Sequence, residues 1–433
     1  MRVLGSGSGM TAFIAFQLSI SHLLLAQASP VIKYPIQRLQ RSIPDSVVST
    51  DIHNEQWIYT VEITIGNPPQ KTLVQVDTGS AYLWVNANCS SAPTAFDQQK
   101  FCKSVPRYDP GASSSVEGPI GSRTLGYGSG EEVIGALVDI YEDVVTIKTQ
   151  RFGVASNSLA LPVGIMGLGP VFNETFDFRE SYALVLDSLA VDNIIDSRAY
   201  SLALGSASDD GGSLIFGVVK SRDGGTRFTV NLSSVGADAG NGNRRQYLVK
   251  DTNVHLDSGH TFSRLQADLA EQLFKDLGAE LDEDLGFYLI DCKIRDHEGG
   301  TTFGFGDKII TVPFREFVYT AQGLCAVGLD PIKEGEQQIL GDSFLRAAYV
   351  VFDWDNEEIH IAQAAKCSSE IVPIGQGRNA VPSVVGACGS NATSTTGSTP
   401  SATGFSSSAG HLHVGKLQFV GTLATLLVCI FAM

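Results

Sequence analysis

The sequence is poor in basic residues, with 30 Lys and Arg against 46 Asp and Glu and a formal net charge of −16 at pH 7. A nucleic-acid-binding protein needs a basic face for the phosphates, so this balance argues against nucleic acid as a partner. Segments with the apolar period of a helix are also scarce, whereas short alternating segments and glycines are plentiful. We therefore expect an all-β class, mostly β with a few short helices.

Two apolar runs lie at the ends of the chain. The first, TAFIAFQLSISHLLLA at 11–26, follows Arg2 and precedes a small-residue cleavage pattern. We interpret residues 1–28 as a secretory signal peptide. A membrane anchor is the alternative, which we disfavour because the run is shorter than the ~20 residues that span a bilayer.

The second run, at 417–433, follows small residues and a polar spacer, and no basic residue comes after it. This order is typical of a GPI-anchor signal, so we predict that 411–433 is removed and that lipid is attached at Ser408 or Gly410, with Ala409 an equally small neighbour. A transmembrane helix is the alternative, since the run is near the lower limit of about 17–25 residues for a span.

Two segments flank the body of the chain. Residues 29–50 carry Lys33, Arg38 and Arg41 against one acid, which indicates a propeptide over an acidic cleft or an ordinary flexible N-terminus. Residues 376–410 are rich in Ser and Thr and predict a solvated, O-glycosylated stalk. Four N-x-S/T sequons also fit a secreted surface: Asn88, Asn173, Asn231 and Asn391.

The chain has only seven cysteines and no CxxC spacing, so no cysteine metal site is indicated and we expect no metal or cofactor. Cys429 lies in the tail that we predict is removed, and the remaining six could form three disulfides in the secretory pathway. Pairing of nearest neighbours, one of 15 possible connectivities, gives Cys89–Cys102, Cys292–Cys325 and Cys367–Cys388.

Two stretches share one pattern: LVQVDTGSAYLWV at 73–85 and TNVHLDSGHTFSRL at 252–265. Each has apolar residues, then Asp-(Thr/Ser)-Gly, then more apolar residues. A carboxylate inside such a run is costly to bury without a partner, so Asp77 and Asp257 are candidates to face each other across a cleft between duplicated lobes. The alternative is that both aspartates only cap turns.

The chemistry of such a pair follows from its charge. Two carboxylates held close together cannot both ionise readily, so they share one proton over a broad pH range. The charged member can take a proton from water while the protonated member polarises a peptide carbonyl. We expect Gly79 and Gly259 to permit the sharp turns, and the Thr78 and Ser258 hydroxyls to hydrogen-bond across the junction.

From about Tyr59 to Ala365 the chain resembles the pepsin-like aspartic proteases, in the order of that family's segments. IGNPPQ at 65–70 resembles the lead-in to the first motif, and LGYGSG at 125–130 resembles the tip of the flap hairpin. VGIMGLG at 163–169 and QILGDSF at 338–344 resemble the segments behind each aspartate. The leader, stalk and tail are most similar to GPI-anchored fungal members, the yapsin-like group.

This resemblance implies a bilobal fold, with an N-terminal lobe at 51–196 that carries the flap and a C-terminal lobe at 197–375. It makes Ser80 the support of the first aspartate, and it places Tyr127, Gly128 and Trp84 at the flap and substrate. Tyr127 could alternatively be an ordinary hairpin aromatic. It also implies disulfides Cys89–Cys102 and Cys292–Cys325.

His260 departs from the family pattern, which usually has Thr or Ser three residues after the second aspartate. We expect His260 to contact Asp257 and, once cationic, to lower the acid-side pKa of the pair. The alternative is that its ring turns away and a water takes the place of the hydroxyl.

We therefore predict a monomeric aspartic endopeptidase that hydrolyses peptide bonds of proteins at acid pH. It would be held at the cell surface by a lipid anchor in the plasma membrane, with transfer to the cell wall as the alternative. A catalytically impaired binding protein on the same fold is one alternative, with His260 as the sign of decay. A structural cell-wall glycoprotein is another, which accounts for the ends of the sequence but not for the paired motifs.

Overall fold

The structure of the protein is a computed structural model. It describes residues 32–38, 58–92, 98–128, 134–145, 148–170, 184–192, 195, 197–207, 211–218, 229–238, 244–321, 323–365 and 412–413. The predicted signal peptide and stalk lie outside these residues, as do most of the predicted leader and tail. The same holds for six predicted site residues: Asn173, Asn391, Cys367, Cys388, Ser408 and Gly410.

Strands dominate the described residues. In chain order they are β1 (Ile32–Arg38), β2 (Tyr59–Ile65), β3 (Gln70–Asp77), β4 (Leu83–Val85), β5 (Glu117–Tyr127), β6 (Ile134–Val145), β7 (Lys148–Leu159), β8 (Gly164–Gly167), β9 (Ser197–Ala203), β10 (Gly211–Val218), β11 (Thr229–Asp238), β12 (Arg244–Leu256), β13 (Ser263–Gln266), β14 (Glu280–Asp282), β15 (Phe287–Leu289), β16 (Gly300–Phe305), β17 (Lys308–Pro313), β18 (Val318–Ala321), β19 (Leu324–Val327), β20 (Leu329–Ile332), β21 (Ile339–Leu340), β22 (Ala348–Asp353), β23 (Glu358–Gln363) and β24 (Leu412–His413).

The helices are few and short. They are α1 (Gln98–Ser104), α2 (Val185–Val191), α3 (Ala267–Leu277), α4 (Phe314–Phe317) and α5 (Asp342–Leu345), with 3-10 helices at Pro110–Ala112 and Cys292–Asp296. The predicted fold class, mostly β with a few short helices, is therefore confirmed.

The strands form three sheets. A 13-stranded sheet has the order β24-β23-β22-β9-β10-β1-β2-β3-β8-β4-β7-β6-β5. A seven-stranded sheet has the order β17-β16-β11-β12-β21-β13-β20, and a four-stranded sheet has the order β14-β15-β19-β18. Because β22 and β23 follow the second motif in the chain yet join the first sheet, the two halves of the molecule share one sheet.

The two aspartate motifs sit in matching strand arrangements. In the first sheet, β3 runs parallel to β8 and β8 pairs antiparallel with β4. In the second, β12 runs parallel to β21 and β21 pairs antiparallel with β13. The segments VGIMGLG and QILGDSF, which contribute β8 and β21, thus lie directly beside the strands that deliver each aspartate.

The sequence SRLQADLAEQLFKDLG at 263–278 has leucines and Phe274 at the spacing of a helix, but only Ala267–Leu277 form the helix α3. Residues Ser263–Gln266 form β13 instead, because they pair with β20 and β21. The helix α3 buries Leu269, Leu273 and Phe274 on one face and ends at Gly278, whose φ of 72° is the left-handed cap that glycine favours.

Two of the three predicted disulfides are present, Cys89–Cys102 and Cys292–Cys325. β1 belongs to the predicted leader and pairs with β10 and β2. β24 belongs to the predicted tail and pairs with β23. Within the described ranges, no helix combines the length and the apolar character needed to cross a bilayer.

Candidate active site

Asp77 is the last residue of β3, and Asp257 directly follows β12. Both side chains are buried. Each aspartate is tied to the segment beside it, because Leu168 N donates to Asp77 O at 2.7 Å and Asp257 N donates to Leu340 O at 3.0 Å. The apolar strands therefore end with both carboxyl groups fixed at the boundary between the lobes.

The residues after the two aspartates bond to each other across this boundary. The Thr78 N–H donates to Ser258 Oγ at 3.2 Å, and the Ser258 N–H donates to Thr78 Oγ1 at 3.0 Å. Each hydroxyl then donates onward to the opposite lobe, Thr78 Oγ1 to Leu256 O and Ser258 Oγ to Val76 O, both at 2.8 Å. These four bonds join residues that are far apart in the chain and fix the separation of the aspartates.

The two carboxyl groups lie in direct contact. Their side chains share a hydrogen bond and repel electrostatically when both are charged. A Cβ placed on Gly79 would lie 2.3 Å from Asp257 Oδ2, and one on Gly259 would lie 2.7 Å from Asp77 Oδ1. Each glycine therefore leaves the space that the opposite carboxyl group occupies.

Each carboxyl group also has two donors of its own. Asp77 accepts from the Gly79 N–H at 2.8 Å and from Ser80 Oγ at 2.5 Å. Asp257 accepts from the Gly259 N–H at 2.8 Å, and His260 Nδ1 lies 2.8 Å from Asp257 Oδ2. The His260 ring thus faces the aspartate rather than turning away from it.

The environments of the two aspartates move their pKa values in opposite directions. Burial, followed by the charge of Asp257, raises the pKa of Asp77 to about 7. Burial by itself also raises the pKa of Asp257, but the charge and hydrogen bond of His260 outweigh it and leave this pKa below its ordinary range. A pair with one carboxylic acid and one carboxylate is the state that acid–base hydrolysis needs.

The predicted flap is the hairpin of β5 and β6. Its two strands pair up to Tyr127 opposite Ile134, and the tip at 129–133 lies outside the described residues. Trp84 Nε1–H donates to the Tyr127 hydroxyl at 2.7 Å, with the ring centroids 6.4 Å apart. Gly128 follows with a φ of 88°. The buried Trp84 therefore fixes the Tyr127 ring at the base of the flap tip.

Sequence reasoning missed three groups near the pair. Burial, and then the charges of Asp77 and Asp257, raise the pKa of the buried Tyr200 hydroxyl well above its ordinary value. Arg264 and Asp330 lie opposite each other on β13 and β20 and interact electrostatically with His260. Arg264 follows the second motif closely in the chain, whereas strand pairing rather than sequence proximity brings Tyr200 and Asp330 to the site.

Two of the predicted sequons fall on described residues. Asn231 is exposed on β11. The amide of Asn88 donates to Asn157 Oδ1 at 2.7 Å, and its oxygen accepts from Ser90. The Asn231 amide is therefore the more accessible of the two in the folded chain.

Comparison with known proteins places the chain in a family. A family model described as eukaryotic aspartyl protease matches residues 58–364. The chain is 34% identical to secreted aspartic protease 5 of Candida albicans, over 76% of this chain and 81% of that protein. It is 32% identical to aspartic proteinase yapsin-3 of Saccharomyces cerevisiae, over 72% and 67%. It is 31% identical to candidapepsin-1 of Candida albicans, over 81% and 96%. The chain therefore belongs to the eukaryotic aspartyl protease family, related to its yapsin and candidapepsin members, and is an aspartic-type endopeptidase.

Proposed function

We propose that the chain is a secreted, surface-anchored endopeptidase that hydrolyses peptide bonds with a water molecule activated between Asp77 and Asp257. The observation that carries this proposal is the position of the two buried carboxyl groups, which the four hydrogen bonds of Thr78 and Ser258 hold against each other across the lobes. Thr78, Ser258, Gly79 and Gly259 support the pair by fixing its geometry.

In this mechanism the Asp257 carboxylate takes a proton from water as the water oxygen attacks the peptide carbonyl carbon. Asp77 gives its proton to the carbonyl oxygen, which forms a tetrahedral diol. The proton on Asp257 then passes to the peptide nitrogen, and a diol hydroxyl returns its proton to Asp77 as the C–N bond breaks. The products are a carboxylic acid and an amine, and the pair again holds one proton.

The other predicted residues have supporting roles. Ser80 holds the first carboxyl group through its 2.5 Å hydrogen bond. Tyr127 and Gly128 belong to the part of the flap that would cover a bound peptide, and the buried Trp84 holds Tyr127 in place through its hydrogen bond to the Tyr127 hydroxyl. No metal or cofactor has a place in these steps, since both proton transfers use the aspartates.

Casein digestion at acid pH, with and without pepstatin, tests the enzymatic part of the proposal. We expect cleavage that pepstatin abolishes, because this inhibitor presents a hydroxyl where the diol would form. A correctly folded protein that binds pepstatin but cleaves nothing would instead be the impaired binding protein. A protein that neither binds pepstatin nor cleaves would be a wall glycoprotein on this fold.

We further propose that 1–28 is a signal peptide, 29–50 a propeptide, 51–196 and 197–375 the two lobes, 376–410 a stalk and 411–433 a GPI-anchor signal. A relative that is itself named a secreted protease supports export.

Expression of the full chain and of a chain lacking 411–433 tests the anchor. We expect the full protein on the cell surface, released by phosphatidylinositol-specific phospholipase C, and the shortened protein in the medium. Surface retention that this phospholipase does not change would contradict the lipid anchor at Ser408 or Gly410.

A further inference from the structure

The two halves of the aspartate pair have nearly equivalent hydrogen-bond donors, with one chemical difference. Each carboxyl group accepts from the N–H of the glycine two residues later, at 2.8 Å in both lobes. Each also has a side-chain partner three residues later. That partner is the neutral hydroxyl of Ser80 in the first lobe and the imidazole of His260 in the second. The histidine therefore breaks the symmetry of an otherwise matched pair.

We propose that His260 is a positioning residue that keeps the negative charge of the pair on Asp257 and thereby keeps the single shared proton on Asp77. This inference rests on the proposed hydrolytic role of the pair. It assigns the carboxylate that activates water to the second lobe and the acid that protonates the carbonyl to the first.

The physical reason is the charge that imidazole can carry and a hydroxyl cannot. With one proton on the pair, either aspartate could hold it. A cationic His260 in hydrogen-bond contact with Asp257 stabilises only the arrangement in which Asp257 is ionised. Ser80 donates to Asp77 without adding charge. Asp77 therefore loses less electrostatic stabilisation on protonation than Asp257 would lose beside the His260 cation.

His260 remains cationic over the acid range because of the groups that surround it. Burial by itself lowers the pKa of His260, but the charge and hydrogen bond of Asp257, together with the charge of Asp77, raise it above its ordinary value. Arg264 opposes them, although its own guanidinium is paired with Glu336 at 3.4 Å. The ring is 28% exposed, so it can exchange protons with solvent.

Two further groups act on this part of the site. Burial raises the pKa of Asp330, on β20, to about 6, although Arg264 and His260 act in the opposite direction. Asp330 therefore becomes charged as the pH rises towards neutrality. This anion near His260 appears in the pH range in which the imidazolium would otherwise begin to lose its proton. His255, on β12, acts on Asp257 in the same sense as His260.

The expected pH dependence follows directly. Activity needs one proton on the pair, so it falls at low pH when Asp257 becomes protonated and at high pH when Asp77 is deprotonated, near pH 7. By lowering the pKa of Asp257, His260 extends activity towards low pH. Without the cation, Asp257 takes up a proton at a higher pH, and the acid limb moves upward.

The test compares pH profiles of kcat/KM for the parent, His260→Gln and His260→Thr. Glutamine keeps a donor without charge, and threonine restores the hydroxyl that Ser80 provides in the other lobe. We expect the pH midpoint of the acid limb to shift upward by roughly one to three pH units in both variants. The midpoint of the alkaline limb should shift less. His297→Gln, the same substitution at an exposed position outside the site, should leave the profile unchanged.

If the acid limbs of the parent and both variants superimposed, the proposal would be overturned. The proposed function would still stand if Asp77→Asn lost cleavage, because that variant tests the aspartate pair and not His260. A second readout needs no activity: the NMR titration of the His260 ring in the parent and in Asp257→Asn. We expect a midpoint above the ordinary value of about 6.5 in the parent and a lower one in the variant. A parent midpoint at or below the ordinary value would equally overturn the assignment.

Discussion

Replacement of Asp77 or Asp257 with asparagine is expected to lower kcat by at least about 10²–10⁴-fold, because each step of the reaction requires both carboxyl groups for proton transfer. Asparagine keeps the size of the side chain. It also keeps part of the hydrogen bonding, to the glycine N–H and to Ser80 or His260. It can neither take a proton from water nor give one to the carbonyl. The measurement is kcat for a peptide substrate at acid pH.

The control for this pair is Asp307→Asn, the same substitution at an exposed turn. We expect its kcat to match the parent. Pepstatin binding and circular dichroism separate loss of chemistry from loss of fold. If Asp77→Asn and Asp257→Asn both kept the parent kcat, hydrolysis would have to use other groups, and the proposed mechanism would be wrong.

Alanine at Gly79 is expected to lower kcat/KM by about 10²-fold, because it displaces the opposite carboxyl group. The added Cβ would lie 2.3 Å from Asp257 Oδ2, well inside the 3.0 Å that real Cβ contacts respect. Asp257 would have to move away from Asp77 and from its position beside His260. Gly259→Ala should act in the same direction, since its Cβ would lie 2.7 Å from Asp77 Oδ1.

Gly121→Ala provides the matched control. It lies on β5, and its added Cβ would meet nothing within 4 Å. We expect this variant to keep the parent kcat/KM. Equal activity of Gly79→Ala and Gly121→Ala would show that the two carboxyl groups are not held in contact, which would also remove the basis for their divided pKa values.

Much of the site was predictable because its information is local. Asp-Thr-Gly and Asp-Ser-Gly each occur inside an apolar run, and both runs fold as strands that end at the aspartate. Cys89 and Cys102, only 13 residues apart, form the disulfide that nearest-neighbour pairing gives. The end of α3 at Gly278 likewise depends on a single residue that favours a left-handed backbone.

Other features were not predictable because they depend on pairing between distant segments. Residues 263–266 have a helical sequence pattern, yet β20 and β21 supply hydrogen-bond partners that make them a strand. The same pairing brings Asp330 opposite Arg264 and close to His260. β22 and β23 join the first sheet although they come late in the chain.

By itself, the sequence determined that two carboxyl groups in matching frames would meet in a mostly β, pepsin-like fold, and that a histidine stands where a hydroxyl is usual. Only the tertiary structure decided that this histidine faces Asp257, that Ser80 faces Asp77, and that the two aspartates therefore differ in pKa. The reason is physical: a pKa depends on burial and on charges a few ångströms away, and those distances are set by packing between residues far apart in the chain.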